Sequence, residues 1–223
     1  MKADTPIGNR IKTIGATLPQ GVTLIAVSKY HPVAAIQAAY DAGQRDFGES
    51  KAQDLRIKQQ ELPSDIRWHF IGHLQSNKIK YIAPFVHLIH SIDSYRLLQE
   101  VNKHGEKCNR RIPCLLQIHI AQEDTKFGFT PSECLEMLAD GEWKQLPNIE
   151  IHGLMCMASN TEDTATVSGE FSAVKELFEK IKREFFPYDN KFNTLSAGMS
   201  DDYPIAIEHG STHIRIGSSI FND

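Results

Sequence analysis

The chain has 223 residues, of which 41% are apolar and 23% charged, with a formal net charge of −4. That balance supports a full hydrophobic core and excludes a disordered tail. No basic block points to nucleic acid, and no apolar run reaches the roughly 18 residues that a membrane helix needs.

The four cysteines, Cys108, Cys114, Cys134 and Cys156, form no CxxC pair. A core of this size needs no disulfide staple, so reduced thiols and a cytoplasmic location are expected. The opening MKADTPIGNR has no signal-peptide apolar region. Ile7, Ile11, Ile14 and Leu18 then recur at helical spacing, which predicts a first helix capped at Asp4-Thr5 with Pro6 in its first turn. Pro19-Gln20-Gly21 ends it, and a strand follows from Val22 to Ser28. His31-Pro32 opens a second helix through Val33, Ile36 and Tyr40, ended near Gly43.

That unit of strand, loop and helix repeats. Further strands are expected at Asp46–Gly48, Trp68–Ile71, His87–Ser91, Pro113–Ile120, Ile149–Leu154, Phe192–Leu195 and His213–Ile216. Alternating strands and helices imply parallel strands joined by crossover helices. Eight units favour a closed (β/α)8 TIM barrel with an extra N-terminal helix, one α/β domain over 1–223. An open Rossmann-like sheet is disfavoured, because Lys29-Tyr30-His31-Pro32 stands where its glycine fingerprint belongs.

Chemistry in such barrels sits at the C-terminal ends of the strands. Lys29 falls there, as do Gly48-Glu49, Gly72-His73, Ser91, Thr125-Lys126, Met155, Ser196-Ala197-Gly198 and Gly217-Ser218. A strand-end lysine ordinarily just reaches solvent along its stem. Here, LSAGMSDDY and IRIGSSIF follow the seventh and eighth strands, where barrel phosphate sites are common. Ser200 is expected to cap a helix, Gly217 to admit a close backbone approach, and Ser218 to offer a hydroxyl. Asp201 and Asp202 would repel a phosphate and are expected to point outward. An amine beside a phosphate cradle suits pyridoxal phosphate, whose aldehyde reacts with lysine. Arg215 lies two residues before Gly217, hence on the same face, and would partner an unprotonated ring nitrogen.

The motifs AVSK, AGQRDFGE, WHFIGHLQSNK, HSID, KFGF, LSAGMSDD and RIGSSIF, spread over nearly the whole chain, resemble the YggS/PROSC family of pyridoxal phosphate homeostasis proteins. The resemblance implies a barrel similar to the N-terminal domain of alanine racemase. It makes Lys29 the Schiff-base lysine, Arg215 the pyridine-nitrogen partner, and Ser200, Gly217 and Ser218 the phosphate cradle, with the Met199 backbone. It implies a protein that binds and buffers pyridoxal 5'-phosphate in vitamin B6 homeostasis as a non-catalytic carrier; pyridoxal-phosphate-dependent apoenzymes are expected recipients, and a monomer is expected. Ser50 and Tyr30 stand where the family usually carries Asn and Thr, and the short tail is expected to leave the last strand less covered. The alternative is a pyridoxal-phosphate-dependent amino-acid racemase. That reaction needs a second acid/base group, which alanine racemases take from another domain, and no such domain is expected here.

Lys126 is a candidate second amine, with an ordinary surface lysine as the favoured reading. His69 and His73 are expected to diverge rather than share a metal, and no metal site is expected. Ser76 or Asn77 is expected to cap a helix in HLQSNK, Glu49 to cap the helix after its strand, with a side chain facing the pocket as the alternative, and Cys156 to be a buried inert thiol.

Overall fold

The structure is a computed structural model that describes residues 5–121 and 127–222. Eight parallel strands close into a barrel in sequence order. They are β1 (Thr23–Val27), β2 (Asp46–Glu49), β3 (Arg67–Phe70), β4 (Leu88–Ile92), β5 (Ile112–His119), β6 (Ile149–Met157), β7 (Thr194–Ser196) and β8 (His213–Ile216). Closure comes from β1 pairing with β8, Ile25 opposite Arg215. The extra helix α1 (Pro6–Thr17) precedes the barrel, and Thr5 caps it by accepting from the Gly8 N–H at 3.0 Å.

Helices α2 (Val33–Asp41), α3 (Ala52–Glu61), α4 (Ile79–Ile82), α5 (Tyr95–Lys107), α6 (Pro131–Asp140), α7 (Thr164–Phe185) and α8 (Tyr203–Glu208) connect successive strands. A short helix, α9 (Ser218–Phe221), follows β8. HLQSNK does not open through a serine or asparagine cap. A 3-10 turn spans Ser76–Lys78 instead, entered at Gln75 without a side-chain cap.

Period-two alternation divides each strand between two environments. Leu24, Ala26, Phe47, Trp68, Phe70, Ile89, Leu195, Ile214 and Ile216 join the large apolar cluster under the helices. The alternate residues fill the barrel interior, where Leu88, Leu115 and Met155 form a small apolar cluster of their own. Most of what remains inside is polar: Asp46, His69, His90, Gln117, Ser196 and Arg215 are all buried.

β6 reaches this parity through an irregularity. Cys114 faces Ile151 but Leu115 faces Gly153, so His152 is extra. Gly153 has φ 150°, and a Cβ there would stand 1.8 Å from the Thr194 carbonyl oxygen. Only glycine lets β6 and β7 meet at that point. The tail is better covered than expected. Ile220 and Phe221 are buried, Phe221 stacks on His31 with ring centroids 4.7 Å apart, and Arg10 Nη1 donates to the Ile220 carbonyl at 3.1 Å.

Candidate functional site

β1 delivers a buried Ser28 to the C-terminal mouth of the barrel, and the chain then turns sharply. The His31 N–H donates to the Ser28 carbonyl at 3.1 Å, and Tyr30 takes φ 70°. Left-handed backbone at a residue with a Cβ is sterically costly and marks a constrained turn. Lys29 sits inside that turn and is exposed.

The turn is anchored from below. Glu49, the last residue of β2, does not cap a helix; Lys51 takes that position for α3. The Glu49 side chain is 1% exposed, and its Oε1 accepts from Ser28 Oγ and from Lys58 Nζ, both at 2.6 Å. Lys58 Nζ also donates to the Ser28 carbonyl at 3.0 Å. The sequence offered one sign of this pair. Ala52, Leu55 and Lys58 recur at intervals of three on the buried face of α3, and a lysine on such a stripe needs a partner.

Across the mouth, β7 and β8 bring their loops together. Ser218 Oγ donates to Ser200 Oγ at 3.0 Å, so the two expected cradle hydroxyls touch. Gly198 has φ 93°, where a Cβ would lie 2.8 Å from Tyr203 Cα. A Cβ on Gly217 would lie 3.2 Å from the Val27 carbonyl oxygen, so the β8 loop lies close against β1. Ser218 and Ser219 start α9, so their N–H groups have no acceptor within that helix.

Two expectations here are corrected. Ser200 does not cap α8; Asp202 occupies the cap position and Ser200 belongs to the preceding turn. Asp202 does not stand freely outward but is half-buried, and its Oδ1 accepts the Met199 N–H at 2.5 Å. Burial pushes its carboxyl above the usual range, only partly offset by the Met199 N–H and Arg215. Asp201 is exposed.

Arg215 lies inside the barrel, two residues before Gly217, and is 4% exposed. Its Nη1 donates to Ser196 Oγ at 2.6 Å and its Nη2 to the Cys156 carbonyl at 2.8 Å. No carboxylate among the described residues forms an ion pair with it. The Cys156 thiol is fully buried, and burial pushes it up to about 12, as befits an inert core group. Ser91 is buried within β4, and its Oγ has no hydrogen-bond partner.

His69 and His73 diverge: His69 is buried against Asp46, while His73 is half-exposed and 3.2 Å from Asp93. Among the described residues no cluster of three metal-binding side chains occurs. Thr125 and Lys126 lie outside the described residues.

The buried histidines make an acid limb in the stability profile. Burial, with the neighbouring His69, pushes His213 down from 6.5 to about 4. Burial also pushes His69 and His90 down. Between those two pH values the unfolded chain binds a proton at position 213 that the folded chain refuses. The associated stability is therefore complete above pH 6.5 and is lost as pH falls toward 4. For His213 alone the loss is roughly 3 kcal/mol. Urea midpoints measured in steps from pH 7 to pH 4 should fall, and His213→Gln should flatten the slope; a level profile in the wild type would contradict the assignment.

The chain matches the alanine racemase N-terminal domain family over residues 6–223. It is 38% identical over 205 residues to the pyridoxal phosphate homeostasis protein of Pasteurella multocida, covering 90% of this chain and 85% of that one. It is 37% identical over 206 residues to that of Schizosaccharomyces pombe, covering 91% and 84%. PipY of Synechococcus elongatus without PLP superposes with a TM-score of 0.91 at 35% identity, over 97% of this chain and 100% of PipY. PipY with PLP bound gives 0.88 at 34% identity, with the same coverage. Alanine racemase of Clostridium difficile shares the fold alone, with a TM-score of 0.76 at 11% identity over 98% of this chain and 56% of the enzyme. The strand-end lysine, the paired hydroxyl loops and the interior arginine thus occur in a chain that belongs to the pyridoxal phosphate homeostasis protein family.

Proposed function

We propose that this protein binds pyridoxal 5'-phosphate at the barrel mouth as a Schiff base on Lys29, and buffers or delivers it within the cytoplasm as a monomer. Pyridoxal-phosphate-dependent apoenzymes are the proposed recipients. The observation that carries this reading is Arg215. A guanidinium buried to 4% exposure with no carboxylate partner among the described residues is costly unless something accepts its remaining N–H groups. An unprotonated pyridine nitrogen is such an acceptor.

When bound, the cofactor supplies an aldehyde that a primary amine can capture and a ring nitrogen that can accept a hydrogen bond. The chain's own groups divide the work. The exposed Lys29 amine provides the covalent hold, and its exposure leaves it open to exchange with other amines. The Ser200 and Ser218 hydroxyls and the close-lying Gly217 backbone receive the phosphate. The Met199 N–H adds to that cradle once the Asp202 carboxylate lets go of it. Arg215 cannot release its proton to the ring, which disfavours carbanion chemistry and suits a carrier.

The test is an absorbance spectrum of the protein mixed with pyridoxal phosphate, before and after borohydride. A visible band that reduction removes, with the cofactor then found on the peptide carrying Lys29, is the expected result. Label fixed to any other lysine would sink the assignment.

A further inference from the structure

The barrel interior holds a line of polar groups that cofactor binding does not by itself require. Arg67 Nε and Nη2 donate to Asp46 at 2.7 and 2.5 Å. His69 Nε2 lies 3.0 Å from Asp46 Oδ1, and His69 Nδ1 lies 2.9 Å from His90 Nε2. His90 Nδ1 lies 3.0 Å from Ser196 Oγ, which spans the interior from β4 to β7. Ser196 Oγ accepts from Arg215 at 2.6 Å. The line runs without a break from Arg67, which opens β3 and faces solvent, to Arg215 beneath the mouth.

We propose that Asp46 positions Arg215 through this line, by fixing the tautomers of His69 and His90 and with them the direction of the Ser196 hydroxyl. The inference rests on Arg215 being the group that meets the cofactor ring.

The logic is donor counting. An ionised carboxylate only accepts and a guanidinium only donates, so both ends of the line are set. Asp46 stays ionised: burial opposes it, but hydrogen bonds from His69 and Arg67 hold it well below the usual carboxylate range. His69 must then carry its proton on Nε2, which leaves Nδ1 as an acceptor. His90 must donate to it from Nε2, which leaves its own Nδ1 as an acceptor. The Ser196 proton is therefore spent on His90, and the serine lone pairs face Arg215. Both rings are neutral in this arrangement. That agrees with the burial of both rings. With the opposite tautomers, His69 Nε2 would face the carboxylate lone pair to lone pair. His90 Nδ1–H would then compete with Arg215 for the serine oxygen.

Nitrogen-15 spectra of the imidazole rings read the tautomers in the free protein. Both His69 and His90 should be Nε2–H and neutral at pH 7.5. In Asp46→Ala the acceptor that holds the His69 Nε2 proton is gone, so His69 and His90 should lose their single tautomer together and populate Nδ1–H. A wild-type spectrum with either ring in the other tautomer or doubly protonated overturns the proposal, and that measurement needs no variant to fold. So does reversal at His69 that stops short of His90.

The link to Arg215 is read separately. Ser196→Ala should weaken pyridoxal phosphate binding about tenfold, the scale of one hydrogen bond to a charged group. Ser196→Thr, which keeps the hydroxyl, should restore it. Equal affinities for wild type and Ser196→Ala overturn the positioning role. A wild type that binds no pyridoxal phosphate overturns the cofactor reading instead, and the ring spectra still decide the line itself.

Discussion

Lys29→Ala is expected to abolish the visible absorbance of the cofactor-loaded protein while leaving its melting temperature unchanged. Alanine has no amine to capture the aldehyde, and Lys29 is exposed, so little packing is lost. Binding should not vanish, because the two serine hydroxyls and Arg215 remain in place. A drop of about 100-fold in affinity is expected, equivalent to roughly 2.8 kcal/mol. Lys29→Arg should behave the same way, since it keeps the charge without a competent nucleophile. Titrating each variant with pyridoxal phosphate, by absorbance and by a method blind to colour, separates covalent from non-covalent binding. An undiminished visible band in either variant would falsify the lysine assignment.

The second large effect concerns the support beneath that lysine. Lys58→Met should destabilise the fold by about 3–5 kcal/mol, because it strands the Glu49 carboxylate in the interior. In a chain of this size, that corresponds to a melting temperature lower by about 10 °C. The double variant Glu49→Gln, Lys58→Met should recover most of the loss. A neutral amide can still accept from Ser28 Oγ, and it can donate to the Ser28 carbonyl that Lys58 has vacated. The single variant should also weaken the visible absorbance, since Ser28 opens the turn that presents Lys29. A double-mutant cycle with additive effects would show that the pair is not coupled, and the proposed support would fail with it.

Both effects belong to one arrangement. The proposed exchange at Lys29 calls for an exposed amine on a held turn, and the neighbouring Ser28 is tied to a buried ion pair. On the proposed function the buried Arg215 meets a ring, and Ser196 and the Cys156 carbonyl accept two of its other N–H groups.

The sequence by itself determined the strand count, the parallel order and the shared face of Arg215 and Gly217. Those depend on local periodicity, which composition and spacing express directly. Arg215 and Gly217 share a face because they are two apart, and Lys29 meets the mouth because its strand ends there. Which group partners which was decided only by tertiary structure. Closure of the barrel brings His90 to Ser196, 106 positions away, and the packing of α3 beside β2 sets Lys58 against Glu49. Alternation says that a side chain faces inward but not what it meets there. For the same reason Glu49 reads locally as a cap and Asp202 as an outward charge. Glu49 instead meets Lys58 at depth, and Asp202 accepts the Met199 N–H within its own turn.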